Sequence, residues 1–62
     1  MKLISNTNIG KYEVKIIQDD TKKYFVEVYF EDESVYISAR TEKIEEAEKN
    51  AQYIMDSIIG GK

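Results

Sequence analysis

The sequence predicts an α+β fold: an antiparallel meander of three strands, extendable to four, with one C-terminal helix packed on one face. Two periodicities and the spacers between them lead to this reading. Across residues 11–40 apolar and polar side chains alternate in three successive segments, the period-2 mark of half-buried strands. Beyond residue 41 the apolar spacing changes to that of a helix. Acidic interruptions of hairpin length separate the three segments, so each strand is expected to pair with the one before it. With 62 residues the chain has room for one hydrophobic core and is read as a single domain, 1–62.

In residues 11–18, Tyr12, Val14 and Ile16 alternate with Lys11, Glu13 and Lys15; Ile17 breaks the pattern. The run 19–22, Asp-Asp-Thr-Lys, reads as a turn because an Asp carboxylate can bond nearby backbone amides. Residues 23–30 form the strongest strand, rich in β-branched and aromatic side chains. Tyr24, Val26, Val28 and Phe30 share one face; Phe25, Glu27 and Tyr29 share the other. After an acidic turn over residues 31–34, a third strand is expected at 35–39, with Val35, Ile37 and Ala39 inward and Tyr36, Ser38 and Arg40 outward.

Thr41 stands where a helix N-cap is expected, and Glu42, Glu45 and Glu46 follow where acidic groups suit the positive end of the helix dipole. Ile44, Ala47, Ala51, Ile54 and Ile58 recur at helical spacing, and Met55 and Ile59 widen the stripe. Gly60 and Gly61 then supply a left-handed stop. A helix within 41–59 would be roughly 27 Å long and would match a strand of about 25 Å. The first ten residues read either as a short edge strand at 2–4 followed by turn-like Ser5-Asn6-Thr7-Asn8, or as an arm.

Composition narrows the function. No Cys and no His are present, which removes disulfides, thiolate metal sites, His-ligated zinc and nucleophilic triads that depend on either side chain. A net charge of −3 disfavours free nucleic acid and suits a basic partner. Carboxylates alone can hydrolyse glycosides, but a small sheet with one helix offers no cleft to desolvate a pair, so no enzyme is expected. No cofactor or metal is expected, since the acidic turns lack the spacing and central Gly of a calcium loop. With no apolar run of signal-peptide or membrane-spanning length, the reading is a cytoplasmic protein that does not enter membranes. Nine Ile against one Leu and eight Lys against one Arg suggest an AT-rich source: a bacterium, an archaeon or one of their viruses.

Phe25, Tyr29 and Tyr36, expected together on the sheet face away from the helix, are candidates for partner binding or for a homodimer contact. Ordinary cross-strand aromatic packing is the competing reading. The acidic residues Glu31, Asp32 and Glu33 are candidates for selecting a basic protein. Should the module bind nucleic acid instead, the residues to do so are Lys15, Lys22, Lys23, Arg40 and Lys49.

Two family resemblances accompany these residues. The stretch Phe25-Val26-Glu27-Val28-Tyr29, Val35-Tyr36 and Glu46-Ala47-Glu48-Lys49-Asn50-Ala51 resembles the last two strands and the helix of a double-stranded-RNA-binding domain, without that family's first helix. In that family lysines near the start of the last helix grip phosphates; the matching positions here hold Ile44, Glu45 and Glu48. Tyr12-Glu13-Val14, Asp19-Asp20, Tyr24-Phe25-Val26, Thr41, Glu46-Ala47 and Asn50-Ala51 also resemble the partial double-stranded-RNA-binding-like domain of HicB-type antitoxins. That resemblance implies a regulator or inhibitor that occludes a protein partner. This chain has no counterpart of the HicB family's Pro- and Gly-containing segment between strands.

Overall fold

A computed structural model describes residues 1–60. It contains four strands, β1 (Lys2–Ile9), β2 (Tyr12–Gln18), β3 (Tyr24–Phe30) and β4 (Glu33–Ile37), and one helix, α1 (Ile44–Gly60). The strands form one antiparallel sheet in the order β1-β2-β3-β4, with α1 packed on one face. The α+β architecture is as expected, and the sheet has the fourth strand. Among the described residues no helix is long and apolar enough to cross a membrane.

The core lies between the sheet and the helix. Val14 and Ile16 of β2, Val26 and Val28 of β3, and Ala47 and Ala51 of α1 are buried together, with Ile4, Tyr12, Tyr24, Ile54, Met55 and Ile58 packed around them. The two alanines let the helix backbone lie close over the valines, which is why the stripe needs small residues at its centre. Ile59, expected to widen the stripe, is 66% exposed.

Three turns set the register. Gly10 and Lys11 join β1 to β2, with Gly10 at φ +58° in the first central position, where a two-residue hairpin favours glycine. Glu31 and Asp32 join β3 to β4 with φ of 51° and 70°, the two left-handed residues of a type I′ turn. Between β2 and β3, the Lys22 amide donates to the Asp19 carbonyl, the Asp19 amide donates to the Lys23 carbonyl, and Lys22 takes the left-handed position at φ 66°.

The structure corrects five expectations. Ser5 to Asn8 are strand, not turn: β1 is an edge, so its polar side chains can face water, and Asn6 Nδ2 donates to Glu13 Oε2 at 2.8 Å across the pair. Glu33 and Ser34 belong to β4, whose turn is only Glu31-Asp32. Thr41 is not the N-cap. Its backbone is taken by two hydrogen bonds with Tyr24, at 2.7 and 2.8 Å, so the helix opens three residues later and the Lys43 carbonyl accepts its first bonds. Gly60 is the last helical residue, and Gly61, where the stop was expected, lies outside the described residues.

The fifth correction concerns faces. A bulge interrupts the β3–β4 register between Val28 and Tyr29, so that Val28 pairs with Tyr36 and Tyr29 with Ser34. The extra residue, Val35, shifts all that follows by one position. Tyr36 therefore lies on the helix side and Ile37, opposite Glu27, on the outer side. Ser38 is buried and Ala39 exposed, the reverse of the expected alternation. Ser38 is held by β3: its amide donates to the Val26 carbonyl at 2.8 Å and its Oγ accepts from the Val26 amide at 2.9 Å.

Candidate functional site

The outer sheet face, where the aromatic residues are expected to form either a contact surface or cross-strand packing, has cations over Phe25 and Tyr29, while Ile37 on the same face is 54% exposed. Phe25 is only 4% exposed, because the Arg40 guanidinium lies 4.7 Å from its ring centroid and neighbouring Ile17 pairs beside it. Arg40 is fixed in turn by Asp19 Oδ2, 2.6 Å from its Nε. The other Asp19 oxygen accepts from the Thr21 amide, the Thr21 hydroxyl and the Lys23 amide at 2.7 to 3.0 Å. This set of donors, with the Thr21 hydroxyl strongest and Arg40 among them, outweighs burial and holds the Asp19 carboxyl far below the usual carboxylate range.

Further along the same face, Lys15 Nζ lies 4.6 Å from the Tyr29 ring centroid and 3.9 Å from Glu13 Oε1. Ser34 Oγ donates to Glu27 Oε2 at 2.7 Å. Burial, and then the Glu27 and Glu13 carboxylates, push the Tyr29 phenol above its ordinary value. Phe25 and Tyr29 are therefore part of a charge-capped face in which each large ring carries a cation.

The candidate aromatics are divided between the two faces, since the bulge sends Tyr36 to the helix side. There it joins a different set. Tyr12, Val28, Val35 and Tyr36 of the sheet and Tyr53, Ile54, Ser57 and Ile58 of the helix line a groove of about 610 Å³. The groove exists because α1 packs over β1, β2 and β3 and leaves β4 uncovered. Tyr12 forms its closed end, its ring centroid 4.8 Å from that of Phe30. Val35, Tyr36 and Tyr53 are 54, 50 and 75% exposed, which makes this the most open apolar surface beside the core.

Tyr53 and Ser57 escaped the sequence reading because they flank the helical stripe. The available signal was an aromatic next to Ile54, on the flank facing a strand that the helix does not reach. Val35, expected inward, does line the helix-side groove but is 54% exposed, because the helix does not reach β4. Both observations share a cause: the β4 edge is uncovered, so apolar residues there line a groove.

Glu31, Asp32 and Glu33 lie at the end of β4, and Lys11 Nζ sits 3.0 Å from Glu31 Oε2. The cationic candidates are split: Lys22, Lys23 and Arg40 lie together around Asp19 at the β2–β3 turn, apart from Lys15 and Lys49. Lys15 is on the outer face, Lys22 and Lys23 are on the β2–β3 turn, Arg40 is paired with Asp19, and Lys49 is exposed on the helix across the molecule. Comparison of the chain with protein-family models, with curated proteins and with solved structures found no match.

Proposed function

We propose that the chain is a non-catalytic, acidic binding module that regulates or inhibits a protein partner by covering its surface. The groove between β4 and α1 carries this reading. It offers exposed aromatic and branched side chains at the rim and a packed floor of Val28 and Ile54, an arrangement suited to an apolar anchor from another protein. β4, which supplies Val35 and Tyr36 to the groove, follows directly on the acidic turn, which favours a basic partner: Glu31 holds a carboxylate at a left-handed position where Asn or Gly would fit the backbone better. The resemblance to HicB-type antitoxins supports the inhibitory role, and the mechanism is occlusion. The module is also proposed to act as a homodimer. The split among the cations, and the pairing of Arg40, weigh against the double-stranded-RNA-binding alternative.

The test compares the native chain with Tyr53→Glu, which changes an exposed side chain outside the core. Proteins captured from the native host by the native chain are identified by mass spectrometry, purified and titrated against both. A partner bound by the native chain and weakened about tenfold or more by Tyr53→Glu, a loss of about 1.4 kcal/mol, is the expected result. Retention of nucleic acid alone, or equal binding by both chains, would overturn the reading.

A further inference from the structure

We propose that β4 is the edge at which two copies of the chain pair, antiparallel about an axis near Tyr36, so that two four-stranded sheets become one. The two edges of the sheet differ in kind. β1 presents Lys2 and the polar run Ser5 to Asn8, whereas β4 is exposed along all five residues and presents Val35, Tyr36 and Ile37 with no Lys and no Pro. Both edges carry a bulge, so side chains distinguish them, and the edge without Lys or Pro is the better template for another strand. Because the helix stops short of β4, no other element among the described residues covers it.

Charge selects the occupant and its direction. One end of this edge is acidic, with Glu31, Asp32 and Glu33 beside Lys11. The other end gathers Lys22, Lys23, Arg40 and Lys43 against Asp19, Asp20 and Glu42. An antiparallel pair centred on Tyr36 brings position 32 of one copy opposite position 40 of the other, so Asp32 of each copy faces Arg40 of its partner. A parallel pair would instead stack the two acidic turns. The edge is thus complementary to itself, as a two-fold contact requires.

Pairing also changes the groove. Val35 and Tyr36 of both copies would lie side by side, and the two grooves would merge into one trough walled by both Tyr53 side chains. The trough's role rests on the protein-binding reading above, while the edge pairing does not.

Sedimentation equilibrium at about 100 μM, where a micromolar dimer is mostly formed, tests the pairing. The native chain is expected to dimerise and Val35→Lys to weaken the dimer about tenfold or more, with circular dichroism unchanged and with melting unchanged only at concentrations where neither chain dimerises, because Val35 is exposed. The absence of cysteine allows a second measurement. Under mild oxidation Tyr36→Cys should give a disulfide-linked dimer, since paired strands bring facing Cα atoms to about 4.5–5.5 Å, while Leu3→Cys on β1 should not. A native chain that stays monomeric, or a dimer indifferent to Val35→Lys and cross-linked through Leu3→Cys, would overturn the proposal. Tyr53→Glu separates the two readings: it should weaken partner binding about tenfold or more and leave self-association intact, so failure of one leaves the other standing.

Discussion

Single side chains on the outer face do structural work that their residue types alone do not reveal. Phe25 was legible as apolar and outward, yet its burial depends on Arg40, fifteen positions along the chain, being folded back over it and locked by Asp19. Because Asp19 is held in its charged form in the folded state, that stability is fully present above the unfolded-state pKa near 3.9 and is lost as pH falls below it. Melting temperature should therefore fall on acidification below about pH 4, and Asp19→Asn should be less stable at neutral pH with a flatter acid limb. An unchanged acid limb in the variant would show that the loss comes from other carboxylates. Ser38 gives a sharper case. Its Oγ accepts the amide of Val26, a residue with no exposed surface, so Ser38→Ala strands a buried donor. A loss of about 1–3 kcal/mol in denaturant unfolding is expected, and a loss under about 0.5 kcal/mol would mean the amide finds another acceptor.

Strands, turns and helix were legible wherever local pattern decides them. The alternation of β2 and β3 and the stripe of α1 need only the chain's own periodicity. The start of α1 and the faces of β4 needed more: Thr41 is drawn into pairing with Tyr24, and the Val35 bulge reverses parity between Ser34 and Tyr36. Neither leaves a local mark, because each is imposed by the neighbouring strand. Likewise Ser5 to Asn8 of β1 looked like a turn because an edge strand facing water can be polar. The β3–β4 turn yields a prediction at this scale. Asp32 holds φ 70° without being glycine, so Asp32→Gly should raise stability by about 0.5–1 kcal/mol if relief of backbone strain exceeds the added freedom of the unfolded chain. A fall in the denaturation midpoint would show instead that the carboxylate stabilises the turn.

At the scale of the whole molecule, one thin core holds everything together. The molecule measures 35 × 21 × 16 Å, and its shortest dimension is that of a single sheet and a single helix. Only two helix side chains, Ala47 and Ala51, are fully within the interface, so the helix is seated by close approach. The contact is correspondingly intolerant. Ala51→Glu would force a carboxylate between α1 and β2, where Val14 and Ile16 offer it no partner. A small domain has about 0.05–0.15 kcal/mol of stability per residue, and an unpaired buried charge costs several kcal/mol. The variant is expected to lose most of its helical circular dichroism at 25 °C and its cooperative melt. Ala51→Gly serves as a milder control that adds no charge or bulk and should cost only about 1 kcal/mol. If Ala51→Glu melts like the native chain, α1 does not dock through this stripe, and the groove beside β4, which exists only because the helix sits where it does, would have to be placed elsewhere.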